Sequence, residues 1–361
     1  MANQPEYYSF FNQPLQSPYR QKYFLHLVLF LITFFTCLLA GVQWANKNPF
    51  EVMNWEYGIT YAILIMVFLG SHEFGHYIAS RIHKVEATLP YFIPNPVPMF
   101  VNFGTFGAVI KTRTRIPSSK ALFDIGVAGP LAGFVICLIF LIYGLITLPS
   151  IDYIYNIHPE YITLYGGEIP KTSLHFGDTV LFSILAKIFA NPKGFLPPMN
   201  EIYHYPFLNV GWFGLFVTTL NMLPIGQLDG GHVVYAMFGG KNHKRIARAA
   251  WWVMFAIGFG SLLEILLQYL APANAGTGVN YASFTEQIYK FLTWLKSIIP
   301  WYFEAWGGWL FWALITRFFI KLWHPPVSYE EKLDGKRMAI GWIAIVVLFL
   351  SFSYNGIFFI E

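Results

Sequence analysis

The sequence predicts an all-α polytopic membrane protein of about seven transmembrane helices, with a small membrane-associated β-hairpin. Three observations predict it. Of 361 residues, 56% are apolar and 12% charged, about half the ~25% charged share of a soluble domain. Mean hydropathy is +0.48 and 19% of residues are aromatic. Apolar runs near the roughly 20 residues needed for one crossing recur along the chain. This composition excludes a disordered chain, a nucleic-acid-binding tail, a coiled coil and a disulfide-stapled secreted fragment. The net charge of +4 asks for no anionic partner. The expected surroundings are the lipid bilayer, and no nucleic acid.

Seven apolar runs are candidate spans: residues 23–42, 57–79, 123–148, 210–223, 246–270, 301–322 and 338–359. The fourth is short for a full crossing. Between them lie a Pro-rich segment (85–120), a polar loop (151–207) and a weakly amphipathic stretch (271–300). With seven spans, 17 of the 23 Lys and Arg fall on one side, among them Arg81, Lys84, Arg113, Lys244 and Arg337. The positive-inside rule then puts the N-terminus and that side in the cytoplasm, and the 151–207 loop outside it. Cys37 and Cys137 lie in separate apolar runs, where they serve as small hydrophobes. The N-terminal MANQPEYYSFFNQPLQSP has the pattern of neither a signal nor a transit peptide. A prokaryotic plasma (inner) membrane is therefore the expected location.

Into the second run the sequence places His72, Glu73 and His76. Ionisable groups at that depth are costly unless paired, coordinated or hydrated. Residues four apart stack on one helical face, so the two imidazoles lie together. This HExxH spacing is that of two zinc-binding imidazoles with a glutamate between them as general base. The competing reading is a polar knot that packs helices or lines a hydrated cavity.

Zinc needs a third protein ligand. Asp229, within NMLPIGQLDGGH directly after the short fourth run, is the only Asp or Glu between Glu201 and Glu264. Pro224 and Gly226 break the helix there, so Asp229 is expected on irregular backbone lining a polar cavity. An Asp-Gly turn at the membrane surface is the alternative. Depth separates the two. Runs two and four cross in the same direction, which brings both histidines and Asp229 to a similar level near the basic face.

HEFGH (His72 to His76) and NMLPIGQLDGG (Asn221 to Gly231) resemble the motifs of the site-2 protease family of intramembrane zinc metalloproteases. The GPLAG run from Gly129 to Gly133 resembles that family's glycine-rich helix-packing motif, which lets helices sit close together. FGTFGAVIKTRT resembles its membrane-associated β-hairpin. His324-Pro325-Pro326 resembles the plastid and cyanobacterial branch. Gly226 and Gln227 stand where many members have prolines. The 151–207 loop is too short for the PDZ domain that many members insert. The resemblance implies one Zn2+ per chain held by His72, His76 and Asp229, with Glu73 as catalytic base. It also implies that Asn221 helps to hold substrate or an oxyanion, and that Gly129 and Gly133 pack helices. The chain is then one membrane-embedded domain (1–361), with a catalytic core at about 57–232 and C-terminal helices at 301–361.

The implied activity is cleavage of membrane-tethered proteins within a transmembrane segment, near the cytoplasmic face. The expected partner is a single-pass membrane protein, with an upstream protease that trims it first as a further candidate. The oligomeric state is encoded in no motif. An unwound substrate segment needs a strand edge, and the stretch with Asn102, Gly104, Phe106 and Gly107 is the candidate for β-augmentation. An ordinary interfacial loop is the equal alternative. A non-hydrolytic membrane zinc transporter or zinc-dependent scaffold is the competing function, and it has no use for Glu73. A zinc protease that processes prenylated proteins is a third reading, opposed by the Asn221 to Gly231 segment. Two roles stay open. His232 either supports the metal ligands or packs a turn, and Glu264 faces a hydrated cavity or an ion pair.

Overall fold

The computed structural model of the chain describes residues 20–96, 102–271 and 283–360. The N-terminal stretch before residue 20, Pro98 of the Pro-rich segment and residues 272–282 of the amphipathic stretch lie outside the described residues. Long apolar runs become helices because lipid offers no partner for backbone N–H and C=O groups. Helix α1 (Tyr23–Trp44), α2 (Trp55–Ile82) and α3 (Ser119–Ile146) follow this rule. Ser118 caps α3 by accepting a hydrogen bond from the Ala121 N–H at 3.3 Å.

Among the described residues, four helical stretches are long and apolar enough to cross a membrane: Tyr23–Trp44, Val52–Ile82, Ser119–Ile146 and Asp229–Tyr269. They correspond to the first, second, third and fifth expected runs. The other three runs are shorter helices. The fourth lies in α7 (Pro206–Met222), of 17 residues. The sixth breaks into α10 (Pro300–Phe303), α11 (Gly308–Ile315) and a π-helical turn, Thr316–Ile320. The seventh is α12 (Gly335–Ser351), also of 17 residues, after which the chain turns into strand β4 (Ile357–Phe359). Hydropathy counts apolar residues and is blind to such breaks. Helix α8 (Asp229–Tyr269) is interrupted at Gly239, with φ 76° and ψ 163°. A short arm carrying Asp229 thus precedes the longer apolar segment. Helix α9 (Ser283–Ile298) completes the late elements.

The expected hairpin forms from β1 (Tyr91–Pro94) and β2 (Thr105–Val109), antiparallel, with Tyr91 opposite Val109 and Phe92 opposite Ala108. It runs the length of α1. At one end the Pro90 carbonyl meets His26 Nδ1 at 3.0 Å. Farther along, the Thr36 hydroxyl donates to the Gly104 carbonyl at 2.6 Å, and Asn102 donates to the Gln43 side chain at 3.1 Å. From His26 to Gln43, a helix rises about 25 Å. The hairpin therefore passes through most of the depth of the bundle.

The polar loop folds into α4 (Asp152–Ile157), α5 (Glu160–Thr163), strand β3 (Leu174–Phe176), α6 (Val180–Phe189) and a 3-10 turn, Ile202–His204. Strand β3 pairs with β4 in a second antiparallel sheet that the sequence reading did not foresee. Helix α3 is central, packed against α2, α7 and α8. In its second turn, Asp124 accepts from His83 at 2.7 Å and from Arg337 at 2.7 and 2.8 Å. That carboxylate ties the ends of α2, α3 and α12 together. Where α1 crosses α2, a Cβ on Gly58 would fall on the Leu38 carbonyl. Gly58→Leu is expected to lower stability by about 1–3 kcal/mol through overpacking, measured as a lowered unfolding temperature in detergent micelles.

Candidate metal centre

Helix α2 brings His72, Glu73 and His76 into the bundle with relative exposures of only 4%, 7% and 7%. The two histidines stand one turn apart, with their Nε2 atoms 3.1 Å from each other. Asp229, in the first turn of α8, places Oδ2 at 3.4 Å from each Nε2. All three donor atoms lie within 4.8 Å of one another. A carboxylate at a helix N-terminus is favoured by the helix dipole.

His76 has a fixed tautomer. Its Nδ1–H donates to the Ile125 carbonyl at 2.7 Å, so the Nε2 lone pair faces the other two donors. Gly129 makes this possible, because a Cβ there would fall on the His76 ring. Gly133 likewise leaves room for Phe68 and His72, at 3.1 and 3.4 Å from a built Cβ. The structure thus puts both GPLAG glycines against the histidine-bearing face of α2.

The turn from Leu223 to Leu228 carries Asp229 inward. Gly226 takes φ 57° and donates its N–H to the Leu322 carbonyl at 3.1 Å. That conformation and the nearby Lys321 carbonyl exclude a side chain. Met222 and Leu223 end α7 just beyond Asn221. Asn221, Glu73, Asp229 and His232 line one cavity of about 1200 Å3, together with Arg113 and Arg115 from the basic side. Ile110, just past β2, lines the same cavity as Glu73.

The four residues suggested for a substrate strand divide. Asn102 is buried and folded onto its own turn, accepting from the Gly104 N–H at 2.8 Å. Gly104 is pressed against Thr36 and Cys37 of α1. Both belong to the anchor of the hairpin, which corrects the expectation for them. Phe106, 66% exposed, and Gly107, with open space around it, stay on an edge of β2 that no strand covers among the described residues.

The sequence left His232 with competing roles and marked His324 only by a family resemblance. The structure joins them at 2.7 Å, Nδ1 to Nε2. His324 Nδ1 meets the Pro325 carbonyl at 2.5 Å, so its Nε2 accepts the proton of His232. Burial pushes the His324 imidazole below its ordinary pKa, consistent with a neutral ring. Tyr235 packs on the His324 ring and donates to Glu330. This brace between α8 and the C-terminal segment joins residues 92 positions apart, a distance no local motif reports. Glu264 pairs with Lys296 at 2.7 Å, the ion-pair reading.

A helical HExxH pair met by an acidic third donor is the donor arrangement of a catalytic zinc centre. The sequence matches Peptidase family M50 over residues 60–263, more than half of its length, and the chain belongs to that family. It is 28% identical over 239 residues to "Probable zinc metalloprotease EGY1, chloroplastic" of Oryza sativa subsp. japonica, covering 60% of this chain and 38% of the relative. The EGY1 protein of Arabidopsis thaliana is 26% identical over 238 residues, 60% of this chain and 40% of its own length. "Probable zinc metalloprotease EGY2, chloroplastic" of Oryza sativa subsp. indica is 29% identical over 224 residues, covering 61% and 37%. The matched region thus spans well under half the length of these curated relatives. No solved structure gives a significant match.

Gly129→Ala is expected to displace the His76 ring and weaken zinc binding at this cluster by tenfold or more. Zinc titration of the detergent-solubilised variant, with helical content checked by circular dichroism, measures it.

Proposed function

We propose that the chain is an intramembrane zinc endopeptidase that cleaves a transmembrane segment of a single-pass membrane protein, near the basic face of the bilayer. One observation carries the reading: two imidazoles and one carboxylate converge beside the buried Glu73 at a cavity inside an apolar bundle. The donor set of two nitrogens and one oxygen fits Zn2+ with a fourth position left open. Bound there, Zn2+ would supply Lewis acidity toward a carbonyl and a water.

The chain's own residues account for the other steps. Glu73, next in sequence to His72, takes the proton of the attacking water and returns it to the leaving amine. Asn221 offers an amide N–H to the oxyanion that develops on the scissile carbonyl. Ile125 and Gly129 hold His76 in the tautomer and position that a ligand requires. The free edge of β2, from Phe106 onward, receives an unwound substrate segment as an added strand. A helical substrate hides its carbonyls in its own hydrogen bonds, so it unwinds before attack.

The cavity contains Arg113 and Arg115, both on the side that carries most of the chain's cations. That supports an orientation with the N-terminus and the site on one side of the membrane. In a plasma membrane this side is the cytoplasm; in an organelle membrane, as the chloroplastic relatives suggest, it is the equivalent compartment. Arrival of an already trimmed substrate completes the proposal.

Glu73→Gln is expected to keep zinc at this cluster and lower cleavage of a single-pass reporter by about 10^2- to 10^4-fold. Asp229→Ala is expected to weaken zinc binding by tenfold or more. Normal cleavage by Glu73→Gln would remove the protease reading and leave a binding or transport role. Gly107 has φ +100°, which proline cannot adopt. Gly107→Pro should therefore lower reporter cleavage about tenfold or more with zinc content unchanged, if β2 receives substrate. Unchanged cleavage would put the substrate elsewhere.

A further inference from the structure

At the opposite end of α1 and α2 from the catalytic cluster, a second group of donors converges. His158 follows α4, while Glu201 precedes and His204 ends the 3-10 turn before α7. His158 Nε2 and His204 Nε2 are 3.0 Å apart, and Glu201 Oε2 is 3.5 Å from His204 Nε2. The three donor atoms lie within 4.8 Å of one another. We propose that His158, Glu201 and His204 form a second metal site, for a divalent cation of the zinc class, that fastens the 151–207 loop to the end of α1.

The outer hydrogen bonds aim the donors. His204 Nδ1–H donates to the Trp44 carbonyl at 2.5 Å, and His158 Nδ1–H to the Glu160 carboxylate at 2.7 Å. Each ring thereby turns its Nε2 toward the other, the arrangement of metal-ligating histidines, whose far nitrogen holds a carbonyl or carboxylate. Tyr161 donates to Glu201 Oε1 at 2.8 Å. Glu201 Oε2 has no hydrogen-bond partner although its side chain is 0% exposed. A fully buried carboxylate oxygen left without a donor is costly. Two lone pairs and that oxygen facing one another call for a positive charge between them.

The spacing fits a metal. A tetrahedral ion with bonds of about 2.0–2.1 Å puts its ligand atoms about 3.3–3.4 Å apart. The measured edges of 3.0 and 3.5 Å bracket that value and nearly repeat the 3.1 and 3.4 Å of the catalytic cluster. Two imidazoles and one carboxylate suit Zn2+ among the divalent metals. Among the described residues, no further buried carboxylate stands beside this cluster as Glu73 does beside the other. Its role is therefore structural: the ion joins the α4–α5 segment, the approach to α7 and, through Trp44, the end of α1.

The test is zinc stoichiometry of the purified full chain, tag removed, in detergent micelles, by mass spectrometry after chelation and reloading. The parent is expected to hold two zinc ions. His72→Ala/His76→Ala should retain one, and His158→Ala/His204→Ala should also retain one. Glu201→Gln keeps the size of the side chain and its acceptor for Tyr161, so it should fold normally. It should bind zinc at this site at least tenfold more weakly, with unchanged circular dichroism. A His72→Ala/His76→Ala chain that retains no zinc overturns the proposal, as does a parent stoichiometry unaffected by both Glu201→Gln and His158→Ala/His204→Ala. In that event a direct hydrogen bond between the two imidazoles replaces the metal. Zinc content that is unchanged by His72→Ala/His76→Ala would instead defeat the catalytic-site reading, so the two failures are distinguishable.

Discussion

The structure depends on bringing ionisable side chains together where no water can stabilise them singly. His72, Glu73, His76 and Asp229 come from two segments more than 150 positions apart and are nearly enclosed by apolar helices. Any one of them alone at this depth would cost several kcal/mol. Together they present three donor atoms to one point, beside the Glu73 carboxylate. The close approach of α3 to α2, the broken backbone after α7 and the short arm of α8 all serve that meeting. Gly129 and Gly133 of α3 are small because a larger side chain would take the space of His76 and crowd Phe68 and His72.

Much of the catalytic cluster was legible because its signals are local. Two histidines four apart on a helix share a face whatever surrounds them, and a lone acid in a long apolar stretch stands out. Asp229 also announced itself through Pro224 and Gly226, which end one helix and permit the inward turn. The supports of those ligands were not legible. The Ile125 carbonyl that fixes His76 is a backbone atom, and any residue type at that position would provide it. The His232–His324 contact joins remote parts of the chain and exists only once α8 and the C-terminal segment are packed.

The fold was legible to a similar depth. Apolar runs located the helices, whereas the 17-to-6 division of cations is an expectation about their sides that depends on all seven runs crossing. Continuity within a run was harder to read. Residues 301–322 are apolar throughout much of their length, yet Gly307 and Gly308 and the π-turn divide them into short pieces. The path of the hairpin along α1 was hidden for another reason. It is secured by single hydrogen bonds between the hairpin and the side chains of His26, Thr36 and Gln43, none of which leaves a periodic trace. Asn102 and Gly104 consequently looked accessible in sequence and are taken up by α1 in the structure.

The hydrogen bond from Gly226 to the Leu322 carbonyl bears on where this protein can be cut. The family match stops at residue 263, and a fragment truncated there would still contain every side chain of the HExxH-and-aspartate set. It would lose the distant peptide group that pins the aspartate-bearing turn, and with it the histidine that steadies α8. A boundary drawn by sequence kinship therefore encloses the chemistry without the girder that keeps it aligned. Any excised version that keeps this donor cluster aligned has to retain the chain through at least the His324 region.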